Sequence, residues 1–172
     1  PLFFPDNMKY KIIEILRTFS EKEIKHFAIF LQSPFFNESE KLRKLYCTLI
    51  RYYPDFDPLK INEEKLSLEI NPNLPFNKST LKTLLFDLSN LAEEYIKICA
   101  FRIKKADSDD ILRAEFFGRK LYKFADHNAR KSLQEIDSCN EYTSEYFFNR
   151  HRILTDICNS ISINSQRSSV DH

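Results

Sequence analysis

The sequence predicts an all-α protein, and three observations support this. The 172-residue chain contains one glycine, although tight hairpins and phosphate loops need the positive φ angles that glycine adopts most readily. Apolar residues recur at spacings of three and four in segments that proline ends, as on one face of an amphipathic helix. No segment alternates apolar and polar residues as a half-buried strand does. We expect about seven helices, packed as helical hairpins into an irregular bundle with a long central helix.

Local signals place the helices of the first half, which we expect at 8–19, 20–33, 37–53, 63–70 and 78–105. Asp6 or Asn7 is the expected cap of the first helix. Ser20-x-x-Glu23 has the form of a capping box, and Asn37-x-x-Glu40 marks the start of the third helix. Pro34 and Pro54 end the second and third helices, because the residue before proline disfavours the helical region. Asn62 is the expected cap of the fourth helix, and Phe56 is the expected anchor of the loop that precedes it.

The fifth helix carries two apolar stripes. The first has coiled-coil-like spacing and consists of Leu81, Leu84, Leu88, Leu91, Tyr95 and Ile98. The second lies beside it and consists of Leu85, Ala92, Ile96, Cys99 and Ile103. A helix that is apolar over so wide an arc is expected to have neighbours on more than one side, so we interpret it as the central helix joining two halves.

The second half is expected to form three further helices. Ser108 caps the first, which ends at Phe117, and a helix at 121–136 follows. Gly118 either takes the left-handed C-cap position or lies within a continuous helix. The last helix, 141–161, is expected to turn these residues inward: Tyr142, Tyr146, Phe147, Leu154, Ile157, Cys158 and Ile161. This gives subdomains at 8–105 and 106–163, with 1–7 and 164–172 as flexible ends or leader and tag residues.

Several motifs of the first two-thirds of the chain resemble a known family. They are Phe19-Ser20-x-x-Glu23, then Phe27-x-x-Phe30-Leu31-x-Ser33-Pro34-x-Phe36-Asn37, followed by Pro54-x-Phe56 and the stripe 81–91. Together they resemble the N-terminal part of an uncharacterised family of all-helical bacterial proteins. The resemblance implies no activity. It implies that the chain is the N-terminal segment of a larger helical scaffold, with a tetratricopeptide-like C-terminal part.

Composition disfavours most enzyme classes. Cys-x-x-Cys and His-x-x-x-His are absent, and no glycine-rich loop could hold a phosphate. We therefore expect no catalytic residue, no metal, no cofactor and no small-molecule substrate. The four cysteines are expected to be reduced and mostly buried, as in a cytoplasmic protein. The net charge of +1 disfavours nucleic acid, and no apolar run is long enough to span a membrane.

Two surfaces remain as candidate binding sites. Tyr142, Tyr146, Phe147 and Phe148 place four rings within seven residues, more than one buried stripe needs. They either bind a partner protein or a second copy of the chain, or dock further helices of a longer protein. The favoured function is therefore a non-enzymatic protein-interaction or scaffold module.

The alternative is a DNA-binding regulator with a helix–turn–helix-like element at 63–91. Lys78, Ser79, Thr80 and Lys82 open its second helix, where a recognition helix would contact phosphates and base edges. The seven-residue loop before Lys78 is longer than the usual turn of this motif, which favours ordinary helix capping and packing instead.

Overall fold

The protein is described here by a computed structural model that covers residues 10–57, 59–72, 75–139 and 141–168. Within these ranges the structure has eight α-helices and one 3₁₀ turn, with no strand. This confirms the all-α prediction, with one helix more than the approximate number of seven that we expected. Spatial proximity divides the chain into two compact units, Pro1–Ile98 and Cys99–His172. The predicted subdomain boundary after residue 105 and the tetratricopeptide-like character of the second half remain predictions.

The helices of the N-terminal unit largely begin and end where the local signals indicate. They are α1 Lys11–Thr18, α2 Glu21–Gln32, α3 Glu40–Leu49, α4 Glu63–Ile70 and α5 Lys78–Ile103, of which α5 continues past the end of the unit at Ile98. The capping box at Ser20 is confirmed, since its hydroxyl accepts from the Glu23 N–H and the Glu23 carboxylate accepts from the Ser20 N–H. The Asn62 side chain caps α4 as predicted, and α2 ends before Pro34. The predicted caps of the first helix lie outside the described residues, in which α1 begins at Lys11.

The predicted start of the third helix at Asn37 is wrong. Asn37 is buried and donates to the carbonyl of Leu31 at 2.9 Å, while its oxygen accepts from the N–H of Ser39 at 3.0 Å. The side chain of Asn37 therefore joins the end of α2 to the start of α3, and Ser39 caps α3 in its place. The helix ends at Leu49, earlier than Pro54, because residues Ile50–Tyr52 tighten into the 3₁₀ turn.

The core of the N-terminal unit is aromatic. Its rings have centroids 5.2 to 6.0 Å apart and come from Phe19, Phe27, Phe30, Tyr46 and Tyr95. The hydroxyl of Tyr46 donates to the carbonyl of Ile24 at 2.7 Å, which satisfies a polar group that lies mostly inside. Burial raises the pKa of Tyr46 above its ordinary value. Tyr95 brings α5 into this cluster.

Phe56 anchors its loop, as predicted. The ring is fully buried, and the backbone adopts a φ of 44°, a left-handed conformation that costs an aromatic residue about 1–2 kcal/mol. The guanidinium of Arg17 donates to the carbonyl of Phe56 at 2.9 Å and to that of Asp55 at 3.2 Å. These bonds and the burial of the ring offset the strain.

One stripe of α5 is buried, whereas the sequence predicted burial on more than one side. Its buried apolar residues are spaced four, three, four and three apart: Leu81, Leu85, Leu88, Ala92 and Tyr95. Such spacing keeps the contacts on one narrow face. Leu84 and Leu91 of the predicted seam are half-buried, while Ile96 and Ile103 of the second predicted stripe are exposed. At 26 residues α5 is the longest of the described helices.

The C-terminal unit contains α6 Lys105–Gly118, α7 Tyr122–Asp137 and α8 Ser144–Ser168. Adjacent pairs of these helices pack together, and α6 also contacts α8. α6 begins three residues before the predicted cap Ser108, which lies inside the helix. The backbone of α8 is helical to Ser168, past the predicted helix end at residue 161. That 164–172 form a flexible or tag-derived end stays a prediction, and 169–172 lie outside the described residues. The other predicted flexible end, 1–7, lies outside the described residues.

Gly118 does not take the left-handed position that was one of its two predicted conformations. Its φ is negative, whereas Lys120 has a φ of 60°. The N–H of Leu121 donates to the carbonyl of Phe116 at 2.8 Å, and the N–H of Lys120 donates to that of Phe117 at 3.0 Å. This is the hydrogen-bond pattern of a Schellman motif, with Lys120 in the place that glycine usually occupies. The predicted alternative, one continuous helix, is wrong too, because α6 ends at Gly118 and α7 begins at Tyr122.

Candidate partner-binding surface

The four rings predicted as a binding surface lie where α7 gives way to α8. We call Tyr142, Tyr146, Phe147 and Phe148 the aromatic corner. Tyr142 lies edge-on to Tyr146 at 5.1 Å between ring centroids and parallel to Phe147 at 6.5 Å, and Tyr146 lies edge-on to Phe147 at 5.0 Å. Phe148 follows Phe147 on the helix and points about 100° further round its axis. The guanidinium carbon of Arg152 lies 5.3 Å from its ring centroid.

Three of these rings are largely open to solvent. Tyr142 is 67% exposed, Phe147 59% and Phe148 60%, while Tyr146 is half-buried. The prediction that Tyr142 and Phe147 face inward is therefore wrong. It is also wrong for Cys158 and Ile161, which are exposed as well.

The buried face of α8 is formed by other residues than those predicted, apart from Ile157. Ile153 and Ile157 are buried against Ala129 of α7, with Leu133 and Ile136 beside them. The small side chain of Ala129 lets these branched residues approach α7 closely. Tyr142, Phe147 and Phe148 lie outside this contact, whereas Tyr146 is half-buried.

Asp137, the last residue of α7, holds the aromatic corner in position. Its Oδ1 accepts from the hydroxyl of Tyr146 and from Nε of Arg150, each at 3.0 Å. Tyr146 and Arg150 are one turn apart on α8, so a single carboxylate fixes the first turns of that helix. The bond from Arg150, followed by the bond from Tyr146, holds the pKa of Asp137 below its ordinary value. Burial and the bond to Asp137 raise the pKa of Tyr146.

The start of α8 is set by Thr143, whose hydroxyl accepts from the N–H of Tyr146 at 3.1 Å. Because the helix begins at Ser144, Tyr142 stands ahead of its first turn and can fold back onto Tyr146 and Phe147. Neither Thr143 nor Asp137 was predicted from the sequence to belong to this surface. Threonine three residues before Tyr146 is a local capping signal that could have been used. The bond from Tyr146 to Asp137 joins two helices and leaves no local pattern.

A buried arginine lies at the centre of the C-terminal unit. Arg113 of α6 donates through Nε to Asp156 of α8 at 2.8 Å, and through one terminal nitrogen to Asn128 and Ser132 of α7 at 3.1 and 3.3 Å. Its other terminal nitrogen pairs with Asp110, which also pairs with Arg152. Two of the three nitrogens of this guanidinium therefore donate hydrogen bonds, and the third lies against the Asp110 carboxylate as an ion pair without a hydrogen bond. The arginine thus connects α6 to both other helices of the unit.

A cavity of about 210 Å³ lies beside this arginine between the three helices. Polar residues along it include Lys105, Asp109, Glu135 and Asn149. Lys105 and Glu135 pair with each other, and Asp109 accepts from the hydroxyl of Ser132 at 3.3 Å. The cavity is smaller than the sites that hold drug-sized ligands.

The alternative site at the start of α5 is exposed but partly neutralised. Lys78 pairs with Glu63 at 3.4 Å, and the backbone N–H groups of Ser79 and Thr80 donate to the side chain of Asn77 at 2.9 and 3.2 Å. Lys82 lies beside a small cavity near Lys11 and Phe86. The structure thus places the four predicted residues at one helix end, with Lys11 of α1 beside the same cavity as Lys82.

The prediction of mostly buried cysteines is wrong. Cys47, Cys139 and Cys158 are exposed and Cys99 is half-buried, and all four are free thiols. Helical stripes predicted burial, yet Cys47 and Cys158 lie outside the buried faces of α3 and α8, and Cys139 lies past the end of α7. In the described part of the chain, no three histidine, cysteine or acidic side chains are arranged to hold a metal ion. No helix there is long and apolar enough to cross a membrane.

Comparison with known proteins assigns no family to this chain. No family model, curated protein or solved structure matches it.

Proposed function

We propose that the protein is a non-enzymatic interaction module whose C-terminal unit binds another polypeptide through the aromatic corner. The observation that carries this proposal is the exposure of Tyr142, Phe147 and Phe148 on a backbone that Asp137 holds in place. Exposed rings are enriched at the energetic centres of protein interfaces, where they fill pockets and exclude water.

The position of these rings supports binding more than it supports stability. The C-terminal unit already has a buried apolar centre, formed by Ala129, Ile153 and Ile157, and it also buries Arg113. None of the three exposed rings belongs to that centre. These rings contribute little to the core and contact mainly one another, so a partner can cover them. Burial of their apolar surface would then contribute about 25 cal/mol of binding free energy per Å².

Rigidity supports the same conclusion. The rings have two side-chain torsions each, and mutual edge-on contacts restrict the rotamers of Tyr142, Tyr146 and Phe147. A surface that is ordered before binding loses little conformational entropy when a partner covers it. This favours a specific partner.

Site-specific photo-crosslinking tests the proposal. A benzophenone amino acid placed at Phe147 in the full chain is expected to crosslink one defined protein in lysate from the source organism. Phe124 is the matched control position, because it is a phenylalanine of the same unit with the same 60% exposure as Phe148. It lies about 20 Å from Asp137 along α7.

Binding to the identified protein is then measured with purified components. Phe147→Ser/Phe148→Ser should weaken it at least about hundredfold, as loss of two central rings does, while Phe124→Ser should leave it within about threefold. Circular dichroism checks that both variants fold. Crosslinks between two copies of the chain would mean that the aromatic corner mediates self-association and does not bind a separate protein. Equal labelling from positions 147 and 124 would overturn the proposal.

A further inference from the structure

We infer that the partner presents a basic segment, with lysine or arginine side chains among apolar ones, to the aromatic corner. The inference rests on the proposed function and specifies its partner. It comes from the charges around the four rings and from the chemistry of the rings themselves.

The charges that lack a partner beside the aromatic corner are negative. Arg150 pairs with Asp137, and Arg152 pairs with Asp110. Glu141 directly precedes Tyr142 and Glu145 directly precedes Tyr146. Both are exposed, and neither forms an ion pair within the described part of the chain. A partner therefore meets two uncompensated carboxylates beside the rings, while both nearby arginines are already neutralised. Complementary charge on the partner steers association and disfavours acidic competitors.

The helix dipole accounts for only part of this arrangement. An acidic residue in the first turn, such as Glu145, is favoured by the partial positive charge of the helix start. Glu141 precedes the cap Thr143 and is not on the helix. The helix dipole therefore does not explain the negative charge of Glu141, and this charge is available to a partner.

The rings themselves favour cations. The face of an aromatic ring carries negative electrostatic potential and attracts guanidinium and ammonium groups within about 6 Å of its centre. This surface already shows the interaction once, since Arg152 lies over Phe148 at 5.3 Å. The exposed Tyr142 and Phe147 offer comparable rings with no cation over them. Carboxylates and ring faces thus select the same partner chemistry.

Two synthetic peptides provide the probe. Both are amphipathic helices of about five turns with identical leucine positions. One carries lysine and the other glutamine on the polar face. Titrated against the full chain at about 0.1 M salt, the lysine peptide is expected to bind at least about tenfold more tightly than the glutamine peptide, and rising salt should reduce the difference.

Charge variants test the carboxylates. Glu141→Gln/Glu145→Gln should reduce the preference for lysine about threefold to tenfold, as expected for loss of two exposed ion pairs. Glu38→Gln/Glu64→Gln is the matched control, because both residues are exposed acids of the N-terminal unit and the change in net charge is the same. An unchanged preference in Glu141→Gln/Glu145→Gln, or an equal loss in the control, would overturn the inference.

Ring variants separate the two proposals. Phe147→Leu keeps apolar volume but removes a ring face, so it should lower the preference for lysine and leave the affinity of the glutamine peptide within about twofold. Phe147→Ser/Phe148→Ser should weaken both peptides. A result in which the double variant weakens binding of both peptides while no variant alters the preference for lysine would support the proposed function. The same result would contradict the inference that the partner is basic. Binding of both peptides that is insensitive to the rings contradicts the proposed function itself, and failure of the lysine peptide to bind overturns the inference.

Discussion

Nε of Arg113 donates to Oδ2 of Asp156 at 2.8 Å in the interior of the C-terminal unit, where the arginine is only 1% exposed. This bond joins α6 to α8, and the bonds of the same guanidinium to Asn128 and Ser132 join both to α7. Burying a charge is costly unless its partners are in place. The packing of the three helices therefore has to bring Asp156, Asn128 and Ser132 together around this guanidinium.

Replacing Arg113 with alanine should destabilise the C-terminal unit selectively. The change leaves a cavity and leaves the side-chain oxygens of Asn128 and Asp156 without the arginine that donates to them. It should therefore lower the free energy of unfolding of this unit by about 3 kcal/mol. Hydrogen exchange of the amides of α6 to α8 measures the loss, with the amides of α2 and α3 as internal reference. Arg119→Ala is the control, because its pair with Glu115 is exposed and worth less than about 1 kcal/mol. An equal change in both variants would contradict the role given to Arg113.

Acid should loosen the aromatic corner through Asp137. Because hydrogen bonds from Arg150 and Tyr146 lower the pKa of this carboxyl, its contribution to stability is complete above the ordinary aspartate pKa. The contribution is lost as the pH falls through the lowered value in the folded state. The ring resonances of Tyr146 should therefore shift in NMR spectra recorded below the ordinary aspartate range.

Asp137→Asn is expected to abolish that acid transition and to leave the Tyr146 resonances independent of pH in the same range. Asp126→Asn provides the comparison, because Asp126 pairs with Arg130 elsewhere on α7. A transition of unchanged midpoint in Asp137→Asn would assign the acid sensitivity to another group.

Helix boundaries that depend on residues within one helical turn were predicted correctly from the sequence. The capping box at Ser20, the cap at Asn62 and the stop before Pro34 all mark boundaries of this kind. The prediction failed at Asn37, whose amide reaches back six residues to Leu31. A tertiary hydrogen bond competes there with the capping role that the local pattern suggests.

The aromatic corner could be predicted only in part, for a similar reason. The number of rings between Tyr142 and Phe148 showed that some would be exposed. The small residues of α7, Ala125 and Ala129, decide which side of α8 is buried, and they act through packing between helices. Arg113 could not be found, because Asp109-Asp110 and an arginine three residues later have the pattern of a solvated helix face.

Exchanging the roles of Gly118 and Lys120 should stabilise the chain. Lys120→Gly relieves a positive φ at the end of α6, and Gly118→Ala restores helix propensity where an added Cβ meets nothing within 4 Å. Each change should raise the free energy of unfolding of the C-terminal unit by about 0.5–1 kcal/mol. Urea unfolding followed by circular dichroism measures both. Gly118→Ala/Lys120→Ala should give a smaller gain, because alanine keeps the strain at position 120, and destabilisation by Lys120→Gly would refute the assigned motif.

DNA should bind weakly to the start of α5. Lys78 is engaged by Glu63, and Asn77 satisfies the N–H groups that a phosphate would otherwise accept from. With a net charge of +1 the chain neutralises few phosphates. The dissociation constant for mixed-sequence duplex should therefore be no tighter than about 10⁻⁶ M at physiological salt. Fluorescence anisotropy with a labelled duplex at several salt concentrations measures both the affinity and its salt dependence.

Two variants decide whether any binding that is seen belongs to the predicted recognition helix. Lys78→Glu/Lys82→Glu reverses the charge of the two lysines at the start of α5, and Lys22→Glu/Lys25→Glu makes the same change on exposed positions of α2. Weak binding through general charge should fall equally in both, because it depends on net charge rather than position. Nanomolar binding that only Lys78→Glu/Lys82→Glu removes would make the DNA-binding regulator the better account of this protein, since specific contacts lose affinity at the contact residues alone.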